Sequence, residues 1–142
     1  MKIYFAGSIS AGREDTPIYN QIVEALRPYG EVLTEHIADH EISDQGESIA
    51  PKEVHDRDLD WLGQSDVLVG EVSVPSLGVG YEIGKAEEWG KGILLLHRAG
   101  SKRLSPMLSG ANGVIFREYK SVDEIPEILA GYFDSLILPG LS

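Results

Sequence analysis

Residues 67–96 read VLVGEVSVPSLGVGYEIGKAEEWGKGILLL, in which two apolar runs flank a segment that ends near Gly90. Runs 67–72 and 92–97 are nearly continuous in apolar residues, which is typical of strands buried on both faces. The segment between them predicts a helix. A strand, a helix and a second strand in this order predict a parallel βαβ unit.

The alternation of strands and helices continues on both sides of this unit. Further strands are expected at 2–7, 31–33 and 114–116, and further helices at 17–29, 51–64 and 123–138. The pattern predicts an α/β fold: a doubly wound, five-stranded parallel sheet with helices on both faces, as in Rossmann and flavodoxin-like proteins. Residues 1–142 are interpreted as a single domain, because a chain of this length can bury one core.

The composition of the chain disfavours several classes of binding partner, namely nucleic acids, membranes and metal ions. The formal net charge of −11 disfavours binding to nucleic acid. No apolar run approaches the roughly 18 residues that cross a membrane, and no signal peptide precedes Lys2. The chain has no cysteine and its four histidines lack metal-ligand spacing, so we expect a cytoplasmic protein without a metal or other cofactor.

The segment from 75 to 86 is a glycine-rich turn that opens a helix. Gly78, Gly80 and Gly84 each disfavour a helix by about 1 kcal/mol relative to alanine, which makes sense if a ligand approaches the backbone. The pattern predicts that Glu82 lies in the first helical turn, where the helix N-terminus favours an ionised carboxylate. Such a carboxylate is suited to act as a nucleophile at a sugar carbon.

Ligands of doubly wound folds bind at the carboxyl ends of the strands. Loops 8–13 and 73–80 both follow strands and are expected at that edge. The segment from Gly7 to Arg13 offers backbone N–H groups, two hydroxyls and a guanidinium, which together could cradle a phosphate. An ordinary strand-to-helix turn explains the same loop equally well.

A second acidic position lies on the helix predicted at 51–64. Its spacing from Val54 directs Asp58 towards the apolar side of that helix, whereas Asp56 and Asp60 point outwards. A buried carboxylate is costly unless it is paired or functional, although it could also cap a neighbouring loop. Asp58 and Glu82 would then form a pair of carboxylates, as in retaining glycoside hydrolysis.

Six segments of the chain, in order, closely resemble the 2′-deoxynucleoside 5′-phosphate N-hydrolases of the wider nucleoside 2-deoxyribosyltransferase family. These segments are 4–9, 12–15, 32–36, 58–62, 75–84 and 104–107. The resemblance implies that Glu82 attacks the anomeric carbon and forms a glycosyl-enzyme intermediate. It also implies that Asp58 assists protonation of the base or its positioning, and that Tyr4 lies beside the nucleophile and the deoxyribose.

The resemblance further implies a set of substrate-binding residues. They are Gly7, Ser8, Ile9, Ser10, Ala11, Gly12, Arg13, Tyr19, Ser76, Gly78, Ser105, Pro106 and Met107. The loop from 7 to 13, with Ser76 and Ser105, would hold the 5′-phosphate. The segment from 105 to 107 would come from the partner subunit, so the implied active unit is a homodimer. Base preference would depend on residues 36–50 and on Ile18 or Tyr19.

One position departs from the family pattern. Ser10 stands where these hydrolases usually carry an arginine, and a charge-assisted hydrogen bond contributes about 1.5–3 kcal/mol. Serines 8, 10, 76 and 105 could still bind phosphate as neutral donors.

Three functions are compatible with these features. The leading hypothesis is hydrolysis of a 2′-deoxynucleoside 5′-monophosphate to deoxyribose 5-phosphate and free base. The alternative is a nucleoside 2-deoxyribosyltransferase that exchanges bases between deoxynucleosides; residues 138–142 lack the asparagine-like group that such transferases use, which favours hydrolysis. A nucleotide sensor without catalysis is the third, and it would not require paired carboxylates.

Overall fold

A computed structural model describes residues 1–8, 15–33 and 50–141 of the chain. The strands are β1 (Lys2–Gly7), β2 (Glu31–Val32), β3 (Val67–Glu71), β4 (Gly92–Arg98) and β5 (Val114–Tyr119). The α-helices are α1 (Thr16–Leu26), α2 (Pro51–Gln64), α3 (Leu77–Glu88), α4 (Pro106–Ser109) and α5 (Ile125–Leu141). Two short 3₁₀ helices span Arg27–Tyr29 and Val122–Glu124.

The five strands form one sheet in the order β2-β1-β3-β4-β5, and every neighbouring pair is parallel. Phe5, Val69, Leu94 and Ile115 lie in register across four of the strands. The prediction of a five-stranded parallel α/β fold is confirmed. Because the chain winds outwards in both directions from β1, the switch point lies between β1 and β3, and a ligand crevice is expected there.

Side chains of β1 alternate between two cores, as the two-residue period of a strand requires. Ile3 and Phe5 belong to a core with residues of α1 and α5. Tyr4 and Ala6 belong to the other core, with residues of α2 and α3. The acidic residues of α2 and α3 therefore lie on the same side of the sheet as Tyr4.

Several element bounds differ from the sequence-based predictions. Helix α1 ends at Leu26 and continues as a 3₁₀ helix, since Pro28 has no N–H to donate to a preceding turn. Strand β5 extends to Tyr119 because its pairing with β4 continues beyond the apolar run. Helix α4 was not predicted. The loop at 9–14 and the segment at 34–49 lie outside the described residues.

Candidate active site

A pocket of about 360 Å³ lies between α2 and α3. Its lining residues are Pro51, Val54, His55, Asp58, Leu59, Gly78, Tyr81 and Glu82. Three residues singled out in the sequence, Asp58, Gly78 and Glu82, thus share one cavity. The two helices that carry these residues pack on the Tyr4 side of the sheet.

Tyr4, on strand β1, contacts the candidate nucleophile Glu82. Its ring is fully buried, and its hydroxyl donates a hydrogen bond to Glu82 Oε2. Burial, followed by the charge of Glu82, raises the pKa of Tyr4 far above its ordinary value. Tyr4 therefore remains a protonated donor at any physiological pH and holds one oxygen of Glu82 in place.

The environment of Glu82 differs from the one expected. Helix α3 begins at Leu77 after the Ser76 cap, so Glu82 lies in the second turn, beyond the reach of most of the helix-end charge. The pKa of Glu82 is raised to about 7: burial is the largest cause and Asp58 adds to it, while the Tyr4 hydrogen bond and Arg57 act in the opposite direction. The prediction that Glu82 lies in the first helical turn, where the helix N-terminus favours an ionised carboxylate, is therefore wrong, and burial outweighs the remaining effect of the helix end.

Asp58 is partly buried, as its helical spacing predicted, with 22% of its side chain exposed. Its Oδ1 accepts from Arg57, at 2.9 Å from Nη2 and 3.0 Å from Nε. The Arg57 guanidinium lies 4.9 Å from the centre of the Trp61 ring, which restrains it. Asp56 and Asp60 are exposed, as predicted. An ion pair thus offsets the burial of Asp58.

A second cavity, of about 480 Å³, begins at the N-terminus of α3. We call it the serine groove, because Ser76 and Ser105 both line it. Gly80 and Arg103 line it too, and the other eight lining residues are apolar: Val72, Val74, Pro75, Leu77, Val79, Leu104, Met107 and Leu108. The two serine oxygens accept hydrogen bonds from Val79 N at 3.3 Å and Met107 N at 3.2 Å, and so cap α3 and α4. Since each oxygen is used as an acceptor, each hydroxyl hydrogen can still be donated to a ligand.

The other predicted binding residues are distributed around the end of β1. Gly7 closes β1 and Ser8 follows it as a buried residue. A Cβ atom on Gly7 would lie 2.9 Å from Tyr19 Cζ, so Gly7 allows the Tyr19 ring to pack closely. Tyr19 is itself buried beside Phe5, in the core opposite Glu82. Ile9, Ser10, Ala11, Gly12 and Arg13 lie outside the described residues.

Four lining or supporting residues were missed from the sequence: His55, Arg57, Tyr81 and Arg103. His55 could have been found from its spacing of three residues before Asp58, which places both on one helix face. Within the described parts of the chain, no group of three or more histidine and acidic side chains could hold a metal ion. No helix in those parts is long and apolar enough to cross a membrane.

Comparison with known proteins places the chain in a family. The family model for nucleoside 2-deoxyribosyltransferases matches residues 3–118, which include Tyr4, Asp58, Glu82 and both serines of the groove. The chain belongs to this family. The resemblance inferred from the sequence motifs is thereby confirmed.

Curated relatives within the family are N-hydrolases. A putative 2′-deoxynucleoside 5′-phosphate N-hydrolase 1 of Nematostella vectensis is 50% identical, over 95% of this chain and 95% of the relative. The 5-hydroxymethyl-dUMP N-hydrolase of Esox lucius is 50% identical, over 96% of this chain and 98% of that relative. The human 5-hydroxymethyl-dUMP N-hydrolase is 46% identical, over 94% of this chain and 79% of the human protein. This member of the family is accordingly an N-glycosidase-type enzyme.

Solved structures agree on the fold. A CMP N-glycosidase of Clostridium botulinum superposes with a TM-score of 0.71 at 20% identity, covering 93% of this chain and 99% of that one. A 2-deoxyribosyltransferase of Bacillus psychrosaccharolyticus gives a TM-score of 0.67 at 18% identity, covering 89% of this chain and 90% of that one. At these identities the likeness concerns the fold alone.

Proposed function

We propose that the protein hydrolyses the N-glycosidic bond of 2′-deoxynucleoside 5′-monophosphates, yielding deoxyribose 5-phosphate and free base through a covalent glycosyl-Glu82 intermediate. The observation that carries this proposal is the shared pocket of Asp58 and Glu82, in which Tyr4 holds Glu82 by a hydrogen bond. A fixed carboxylate nucleophile with a second carboxyl group nearby is the arrangement that retaining glycoside chemistry requires.

The reaction has two steps. In the first, the ionised Glu82 carboxylate forms a bond to C1′ while the bond from C1′ to the base breaks, and the electron pair leaves with the base. Asp58, which is paired with Arg57 as a carboxylate, assists the departure by orienting the base, and the departing base takes its proton from water. In the second step, water attacks C1′, the ester bond to Glu82 breaks, and the proton of the water passes to a carboxylate of the site.

The serine groove is the proposed site of the 5′-phosphate, together with Gly7, Ser8 and the loop at 9–13. Ser76 lines the groove, Arg103 contributes a positive charge at its edge, and in the proposed homodimer the partner subunit's Ser105 supplies a second hydroxyl. A chain with a net charge of −11 repels a phosphate dianion at long range. Local donors and one guanidinium must therefore supply the attraction, which is what this groove offers.

The substrate range is proposed to include 5-hydroxymethyl-dUMP, because several relatives at about half identity carry that activity in their names. We also propose that the chain works as a single-domain, cytoplasmic homodimer in which Ser105, Pro106 and Met107 complete the partner's site. Leu77 and Met107, which are 96% and 82% exposed beside the groove, supply apolar surface for such an interface.

The proposal is tested by measuring free base released from the common deoxynucleoside monophosphates, 5-hydroxymethyl-dUMP, the parent nucleosides and the ribonucleotides. We expect release from deoxynucleotides by the native protein and a loss of at least a thousandfold in Glu82→Ala, as is typical when a nucleophile is removed. Equal release by that variant would refute the mechanism. An absence of release from every deoxynucleotide would refute the function.

Base exchange is the second candidate, favoured by the description of the family model. It uses the same glycosyl-enzyme intermediate but gives it to a second base instead of water. Adding a second free base to the reaction distinguishes the two, because a transferase forms a new nucleoside and a hydrolase does not.

A further inference from the structure

Two further side chains face each other across the entrance of the Glu82 pocket. His55 on α2 and Tyr81 on α3 are both about half exposed, and His55 Nε2 lies 3.2 Å from the Tyr81 hydroxyl. Their rings are tilted by 58° with centroids 5.8 Å apart. Both residues line the pocket. They form an outer pair above the inner pair of Asp58 and Glu82, carried by the same two helices.

The hydrogen bonds around His55 determine which way the Tyr81 hydroxyl is polarised. Lys52 Nζ lies 2.7 Å from Asp56 Oδ2, and Asp56 Oδ1 lies 2.9 Å from His55 Nδ1. Lys52 lowers the pKa of Asp56, which is therefore an ionised acceptor. A carboxylate can only accept, so Nδ1 carries the imidazole hydrogen and Nε2 of the neutral ring is an acceptor. Tyr81 must then donate to Nε2, which leaves the lone pairs of its oxygen able to accept a hydrogen bond.

In the proposed reaction, the base of the nucleotide would lie at the outer pair. Glu82 must reach C1′ and Asp58 must reach the base, while the serine groove lies beyond the N-terminus of α3. His55 precedes Asp58 by three residues, which is less than one helical turn, or about 4.5 Å of rise. That distance is within the width of a nucleobase. A base that leaves from the inner pair therefore extends towards His55 and Tyr81.

We propose that Tyr81, oriented by His55, is a specificity-determining residue whose oxygen accepts a hydrogen bond from a donor group on the leaving base, such as the hydroxyl of a 5-hydroxymethyl substituent. The proposal rests on the proposed function, since it assigns a role within the same site. It predicts a preference for bases that bear such a donor over bases of the same shape that lack it.

A pair of substrates and three variants test the assignment. The substrates are 5-hydroxymethyl-dUMP and dTMP, which differ by one hydroxyl on the C5 methyl group. We expect the native protein to prefer the first, and Tyr81→Phe to reduce the ratio of the two kcat/KM values about tenfold, the effect of one hydrogen bond. His55→Phe should reduce the ratio too, whereas His55→Gln should retain it, since the glutamine oxygen can still accept from Tyr81.

Two controls separate recognition of the base from general damage. Tyr29→Phe removes a tyrosine hydroxyl on the other side of the sheet and should leave the ratio unchanged. Deoxyribose 5-phosphate has no base, so its inhibition constant should be the same for the native protein and for Tyr81→Phe. A native ratio near one, or a ratio that Tyr81→Phe leaves unchanged, would overturn this assignment alone. Absence of base release by the native protein refutes the proposed function instead.

Discussion

Glu82 must be ionised to attack a sugar carbon, yet its surroundings favour the protonated form. Burial raises its pKa from 4.5 to about 7, so between these values the folded state binds more protons than the unfolded state. Unfolding therefore becomes easier as pH rises through this range. The ionised nucleophile therefore lowers the free energy of unfolding, and such a conflict between activity and stability is common at active sites.

Replacement of Glu82 by glutamine should stabilise the protein in a pH-dependent way. Glutamine is neutral and can still accept from Tyr4, so Glu82→Gln removes the buried charge but keeps the hydrogen bond. At pH 8 we expect an increase in the free energy of unfolding on the order of 1–3 kcal/mol, and at about pH 4, below the pKa of the unfolded state, nearly none. Urea denaturation at the two pH values measures this difference. An increase of equal size at both would contradict it.

Tyr4 should set the pH dependence of the reaction. Its hydrogen bond lowers the pKa of Glu82, so in Tyr4→Phe that pKa rises further above its ordinary value. In the native protein kcat/KM should increase with pH up to about 7, where Glu82 loses its proton. In Tyr4→Phe the same increase should occur at higher pH. A pH profile that coincides with that of the native protein would show that Tyr4 does not act on Glu82.

At the scale of the element, two glycines of α3 allow the stability of the helix and the binding of the ligand to be tested independently. Gly80 and Gly84 both have open space where a Cβ atom would lie, and only Gly80 of the two lines the serine groove. Gly80→Ala and Gly84→Ala should each stabilise the helix by up to about 1 kcal/mol. Gly80→Ala should raise KM several-fold, because its methyl group enters the groove, whereas Gly84→Ala should leave KM unchanged. Thermal unfolding measures the change in helix stability, and steady-state kinetics measures KM. An equal KM for both variants would show that Gly80 does not contact the ligand.

The elements differ in how well the sequence predicted them. Strands β3 and β4 were placed to within one residue, because strands buried on both faces are continuous apolar runs. Helix α4 has four residues, too few to show a helical period. The start of α3 was placed too late, since Gly78 and Gly80 were interpreted as a turn although they belong to the helix.

The site was predictable in part for similar reasons. The periodicity of α2 directed Asp58 inwards, and the motif around Glu82 carried the family resemblance. The contact of His55 with Tyr81 joins residues 26 positions apart on two packed helices, and no local pattern encodes it. The pKa of Glu82 likewise depends on burial by the whole of its surroundings, which a motif does not reveal.

At the scale of the whole molecule, the proposed homodimer predicts complementation between two inactive variants. If Ser105 serves the partner's site, a mixed dimer of Glu82→Ala with Ser105→Ala contains one site with both native residues. Random exchange of subunits should then restore about a quarter of the native activity per chain. Mixing the two variants after mild dissociation and assaying base release measures the recovery. If Ser105 serves its own chain, mixed dimers contain no intact site and activity stays at the level of the separate variants.

The hydrogen bond between Tyr4 and Glu82 joins positions 78 residues apart, which has a consequence for the order of events during folding. Strand β1 pairs with β2 over two residues and with β3 over five, so its principal partner is synthesised some sixty residues later. A nascent chain that ends before β3 lacks that partner, and one that ends before Glu82 lacks the nucleophile. Non-local contacts of this kind form slowly. Catalytic competence therefore requires that β1, β3 and α3 have come together, and no amino-terminal fragment that stops short of α3 can hydrolyse a nucleotide by this mechanism.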